Sequence, residues 1–195
     1  MPAVIRRTRI SDIPRLHGLY RSLAEETREK FHPELFYARK KIRLWGHNIC
    51  FFLSHIAFTR KLLKTVLPRG VYLVLVMEET EKKELIGFCS LKFDKDSKRG
   101  NKASLSIVVR EEFQGKGYGM ALLEQIAHLA MKEGLSSINL IVNKTNSSAV
   151  NLYSKFGFEI IGELNMVPFY MGVRLHAPDE RLPHFRMRLD LAKGG

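Results

Sequence analysis

The 195-residue sequence predicts an α/β (α+β) fold, a mixed and mostly antiparallel sheet with helices on both faces. Three observations predict it. Predicted elements run strand, helices, three strands, helix, strand, helix, two strands. The three central strands are separated by short charged turns, which suits antiparallel neighbours. The strand–helix–strand that follows is a crossover unit, which places a parallel pair in the same sheet. The length fits one ordinary domain with room for a sizeable core.

Each element has a local cause. "AVIRRTRI" opens as a short strand. Ser11 or Asp12 then caps a helix with Pro14 in its first turn and Leu16, Leu19, Tyr20 and Leu23 on one face. "FHPELF" is expected to break that helix, because Pro33 pushes His32 out of helical backbone. An aromatic-rich amphipathic region from about Tyr37 to Leu67 follows, ended by Pro68 and Gly70. "VYLVLVMEE" and "ELIGFCSLKF" read as strands joined by "EETEKK", and "ASLSIVV" as a third strand after the charged turn "DKDSKRGN". The next helix runs to Gly134, a left-handed C-cap. "SSINLIV" is a buried strand and "NSSAVNLYSKF" a helix stopped by Gly157. "FEIIGEL" and "HFRMRLDL" close the chain as strands. Between them, Asn165 to Pro183 form a long loop with three prolines.

Composition narrows the function classes. Apolar residues make up 45% of the chain, which suits a globular fold. The longest apolar run, "ICFFLSHIAF", is half of what a membrane span needs, and "MPAVIRRTRI" has charges where a signal peptide has an apolar core. Cys50 and Cys89 sit in apolar surroundings without metal-type spacing, as reduced core residues of a cytoplasmic protein do. The net charge of +12 favours anionic partners, but the basic residues are scattered, so a solvated basic surface is as good a reading as a binding patch. No basic–aromatic platform or recognition helix supports nucleic-acid binding.

"FQGKGYGMALLEQI" packs three glycines into five positions ahead of a helix. A Rossmann G-x-G-x-x-G fails, since the third glycine would fall at Leu122 or Met120. A Walker A loop fails at Met120 and Ala121, where Lys and Ser or Thr belong. A strand-to-helix turn whose bare backbone meets an anion remains. Gly115, Gly117 and Gly119 leave the N–H groups accessible, the helix N-terminus carries partial positive charge, and Lys116 adds a formal one. Taken alone, such a cluster reads more simply as a tight turn.

A second stretch changes the balance. "SIVVREEFQGKGYGMALLEQI" resembles motif A, Q/R-x-x-G-x-G/A, of the GNAT superfamily of acyl-CoA-dependent N-acyltransferases, at Gln114, Gly117 and Gly119. "NKTNSSAVNLYSKFGF" is similar to the second signature, N-x-x-A-x-x-L-Y-x-x-x-G-F, at Asn146, Ala149, Leu152, Tyr153, Gly157 and Phe158. The likeness covers roughly residues 71–162. It implies a single N-acetyltransferase domain over residues 1–195. The first strand and acceptor-side helices would occupy 1–70, the CoA-binding core 71–164, and an acceptor-side loop and last strand 165–195. It also implies a twisted sheet of about seven strands with a splayed cleft for CoA.

The resemblance further implies that the pantetheine arm lies along Ile107, Val108 and Val109. The diphosphate would take N–H groups among Gln114, Gly115, Lys116, Gly117, Tyr118, Gly119 and Met120. Asn146 would contact the cofactor as well as cap its helix, and Tyr153 would both border CoA and donate a proton to the departing thiolate. The expected reaction is direct attack of a primary amine on acetyl-CoA in a ternary complex, without metal, the oxyanion held by backbone amides near Val108. The acceptor is open between a small amine, a polyamine and a protein or peptide amino group.

A base is not evident. Related ribosomal-protein N-terminal acetyltransferases keep a glutamate where this chain has Ile141, and "ASLSIVV" offers only Ser104 and Ser106. Glu84, Asp94, Glu34 and His32 read more simply as solvated groups. The alternative is a catalytically weak CoA-binding regulatory or interaction module. Phe169, Tyr170 and Met171 resemble a lid or pocket rim, and the aromatic region 37–67 an apolar wall or a homodimer contact. No membrane partner is expected.

Overall fold

The structure is a computed structural model that describes residues 2–25, 27, 71–93, 102–166, 169–170, 173–174 and 182–193. The aromatic region 37–67, His32, Glu34, Asp94, Cys50 and Met171 lie outside the described residues, as do the side chains of Phe169 and Tyr170.

Nine strands are described: β1 Ala3–Arg7, β2 Val71–Glu79, β3 Leu85–Phe93, β4 Lys102–Val109, β5 Ser137–Asn143, β6 Glu159–Met166, β7 Phe169–Tyr170, β8 Val173–Arg174 and β9 Leu182–Asp190. Three α-helices accompany them among the described residues: α1 Ile13–Ser22, α2 Tyr118–Lys132 and α3 Ser147–Phe156. Seven strands form one sheet in the order β1-β2-β3-β4-β5-β9-β6. Only β4 and β5 run parallel, because α2 crosses between them; the other neighbours pair antiparallel. The short β7–β8 hairpin lies within the stretch read from sequence as a loop.

Period-2 alternation splits the core into two layers. Leu73, Leu75 and Met77 of β2 pack with Leu122, Leu123, Ile126 and Ala130 of α2 on one face. Val74 and Val76, with Phe88 and Val108, pack against Leu16, Leu19 and Leu23 on the other. β2 and β3 are buried on both faces, which is why "VYLVLV" and "LIGFCSL" read as continuous apolar runs.

The N-terminus is held by charge. Asp12 is fully buried and takes Arg6 through both oxygens, at 2.7 and 2.8 Å, with Arg15 at 3.0 Å and the Arg9 amide at 2.7 Å. Arg6 also reaches Glu78 at 2.6 Å, so β1, β2 and α1 meet at one network. Asp12 precedes α1 as the sequence suggests, but its side chain makes no capping bond, since the arginines occupy it.

One expectation fails. α1 ends at Ser22, ten residues before the histidine that precedes Pro33, because Leu23 turns extended with ψ 141° and buries its side chain. The freed Ala24 N–H donates to Glu111 Oε1 at 2.9 Å. A partner 87 residues away therefore sets that boundary, not the proline.

Candidate functional site

The parallel strands part company early. β4 and β5 pair only from Lys102–Ser104 against Ser137–Asn139, although each continues for several residues. β4 stays paired with β3 as far as Val109. Past Ser104 and Asn139 the sheet therefore opens into a wedge bounded by Ile107–Val109 and Leu140–Asn143.

The orientation of the wedge backbone follows from one hydrogen bond. Arg110 donates its N–H to Ile86 O at 2.9 Å, in register with Val108 opposite Phe88. Backbone polar groups alternate edges along an antiparallel strand. Ser106 and Val108 thus turn theirs to β3, whereas Ile107 and Val109 turn theirs to the wedge. The Val109 carbonyl confirms this direction by accepting Gln114 Nε2 at 2.8 Å.

The glycine stretch sits at the wide end. A single 3-10 turn, Glu111–Phe113, joins β4 to it. Gly115 and Gly117 take φ +73° and +83°, left-handed values that L side chains resist. A Cβ at either position would meet nothing within 4 Å, so this face of the loop is open. Gly117 is the N-cap of α2 and no side chain caps that helix. Its first-turn amides, those of Tyr118, Gly119 and Met120, precede the first intrahelical bond, Ala121 N to Gly117 O at 3.1 Å. An open helix N-terminus of this kind attracts anions.

Lys116 turns aside. Its amine donates to Glu112 O at 2.8 Å and lies 5.4 Å from the Phe113 ring centre. Phe113 also packs at 6.4 Å from Tyr118, bracing the loop against the core.

α3 delivers the other two residues singled out. Asn146 Oδ1 accepts the Ala149 N–H at 3.2 Å, so the capping role is realised. Tyr153 follows two turns on, buried against Phe158 with ring centres 5.6 Å apart. Burial raises its hydroxyl above the ordinary tyrosine range, and the nearby Cys89 adds to the shift. Cys89 is itself fully buried, which raises its thiol. α2 and α3 touch at Gly119, where an added Cβ would come within 2.9 Å of Leu152 Cδ2.

One feature, the role of Glu111, escaped the sequence. Glu111 holds the Ala24 N–H and also bonds Thr27, which together with its own amide keep its carboxyl below the usual range despite burial, the largest opposing influence. Alternate residues Glu111 and Phe113 facing different elements were the available signal. Glu84, one of the base candidates, is occupied by Arg110 at 3.0 Å. Ile141 is 51% exposed beside the wedge. Among the described residues, no group of His, Cys, Asp or Glu has metal-binding geometry, and no helix is long and apolar enough to cross a membrane.

The model of the acetyltransferase (GNAT) family matches residues 16–158. A spermine/spermidine N(1)-acetyltransferase of Bacillus subtilis is 34% identical over 87 residues, covering 42% of this chain and 57% of that protein. The spermidine N(1)-acetyltransferase of Escherichia coli K12 is 40% identical over 68 residues, covering 32% of this chain and 34% of that protein. The match thus spans about half, or less, of the length of these curated relatives. A spermidine N-acetyltransferase from Vibrio cholerae, solved in complex with CoA and spermine, superposes over 98% of this chain and 96% of its own. Its TM-score is 0.65 at 20% identity, a likeness of fold.

Proposed function

The chain belongs to the acetyltransferase (GNAT) family, and on that premise we propose that it is an N-acetyltransferase moving the acetyl group of acetyl-CoA to a primary amine. The observation that carries this reading is the wedge between β4 and β5, with the uncapped start of α2 at its mouth and Tyr153 buried near Cys89, the β3 partner of Ile107.

Acetyl-CoA enters as substrate. Its diphosphate takes the amides from Gly115 to Met120, where the bare glycines leave the approach open. Its pantetheine arm adds to β4 as a strand would, through the polar groups of Ile107 and Val109. The side chain of Val108 packs towards α1, and its amide faces β3, so the oxyanion contact expected near Val108 falls to its neighbours. Asn146 fixes the start of α3 and thereby the height of Tyr153.

The amine lone pair attacks the thioester carbonyl carbon, and the C=O pair moves onto oxygen. Collapse breaks the C–S bond; Tyr153 gives its proton to the sulfur as thiolate leaves, and the ammonium proton passes to water. A tyrosine whose hydroxyl resists ionisation remains loaded as an acid at neutral pH. The amine must arrive neutral, a state that about one lysine-like amine in 2,500 holds at pH 7. Polyamines, small amines and peptide amino groups all supply such a nucleophile.

The test is direct. Calorimetry should register acetyl-CoA binding, and incubation with a panel of amines and N-terminal peptides should release free thiol. Thiol release on no amine, with CoA still bound, would leave the binding-module alternative.

A further inference from the structure

The wedge face that carries Ser106 and Val108 continues across β5, β9 and β6. Strand register fixes which side chains share it. Asn139, Ile141 and Asn143 of β5 lie opposite Arg188, Arg186 and His184 of β9. Glu159, Gly162 and Leu164 of β6 lie opposite the same three. β9 thus presents two guanidinium groups and an imidazole at every second position.

Among the described residues, neither Arg186 nor Arg188 forms an ion pair, although Glu159 stands opposite Arg188 on the edge strand. Arg188 Nε is buried with no acceptor. The Arg186 guanidinium lies over Gly162, where an added Cβ would come within 3.1 Å of it, so the glycine leaves space for the fork. Asp190, next on the same strand face, is committed to the Ala192 N–H at 3.2 Å. Beside Arg186 lies Ile141, 51% exposed. Arginines without an ion pair among the described residues, next to an exposed isoleucine on a chain of net charge +12, attract an anionic partner and repel a polycation.

Resting on the N-acetyltransferase reading, we propose that the acceptor is an acidic polypeptide, with its amine in the wedge and its carboxylates over Arg186 and Arg188. Spacing supports the fit. From β5 to Gly162 is two strand intervals, about 10 Å, which an extended peptide covers in roughly three residues. The third or fourth residue from the amine then meets Arg186, and the first two cross Ile141. A spermidine-like polycation gains nothing on this surface. A second copy of the chain would bring the same positive charge to it.

The experiment uses the full chain and fluorescein-labelled nonapeptides with a free N-terminal amine. One carries Asp or Glu at positions three to five, one carries Lys there. Anisotropy should show at least tenfold tighter binding of the acidic peptide, weakening with salt, and acetylation should follow the same order, with spermidine poorest. Arg186→Glu should reverse the preference while leaving acetyl-CoA affinity unchanged; Arg186→Gln, milder for folding, should cost about threefold or more. Equal binding of both peptides, indifference to Arg186→Gln, tighter binding of a DNA duplex, or a dimer that excludes the peptide would each overturn the proposal. Retained acetyl-CoA binding with indifferent peptides removes this inference alone, whereas failure to bind acetyl-CoA removes the acetyltransferase reading beneath it.

Discussion

Gly119 of α2 and Leu152 of α3 approach so closely that a Cβ on the glycine would lie 2.9 Å from Leu152 Cδ2. This contact joins the helix whose N-terminus faces the wedge to the helix that carries Tyr153. Gly119→Ala should therefore push Leu152 aside and displace its neighbour Tyr153. We expect turnover to fall several-fold with acetyl-CoA affinity nearly intact. Adding Leu152→Ala, which vacates the space, should restore part of the loss in a double-mutant cycle. Simple additivity would show that the two helices are positioned independently.

Gly117→Glu should abolish acetyl-CoA binding in calorimetry. The substitution strains a backbone at φ +83° and sets a carboxylate beside the α2 amides. Gly117→Ala carries the strain, about 1 kcal/mol, without the charge, and should retain measurable binding. An unchanged affinity in Gly117→Glu would remove the diphosphate from this loop.

Tyr153→Phe should lower kcat by about 100-fold, the scale of a lost general acid, with little change in CoA affinity. Because burial holds the tyrosine above its ordinary range, its ionisation should not produce an alkaline limb in wild-type kcat below about pH 10. Equal losses in kcat and affinity would mark Tyr153 as a packing residue against Phe158.

Asp12→Asn should destabilise the chain by about 2 kcal/mol, because it takes one charge out of the network while Arg6 keeps Glu78. Burial opposes ionisation of Asp12 and Glu78, yet the arginine hydrogen bonds hold both below the usual carboxylate range. Their contribution is therefore present above about pH 4 and lost as the pH falls below it. Urea titrations from pH 7 to pH 3 should show a steeper acid loss in wild type than in Asp12→Asn.

Glu111→Gln should loosen the join between Ala24 and the β4–α2 turn. A neutral amide keeps the shape but weakens the charge-assisted bond. Acceptor KM should rise while acetyl-CoA affinity holds; a shift in the latter alone would assign Glu111 to the coenzyme loop.

The parts of the site that sequence made legible are those whose cause is local. Left-handed glycines at 115 and 117, the Asn146 cap and the Gly157 stop are each written within a few residues. The mixed sheet followed from turn lengths and one crossover, whereas the insertion of β9 between β5 and β6 depends on pairing between distant segments. What stayed hidden was set by distant partners. The end of α1 depends on Glu111, Lys116 is drawn off by the Glu112 carbonyl, and the edge faced by Val108 depends on the Arg110–Ile86 bond. The alternation in "HFRMRLDL" was visible, but which neighbours its basic residues face required the register of β5 and β6.

The early parting of β4 from β5 leaves one edge of β4 paired with β3 and the other without a neighbouring strand. Deuterium should enter the ligand-free protein in an every-other-residue rhythm, quickly at Ile107 and Val109 and slowly at Ser106 and Val108, whose amides are locked to β3. A pantetheine arm seated as an eighth strand would erase that rhythm, so amide exchange along these four residues reads out occupancy without any chemistry taking place.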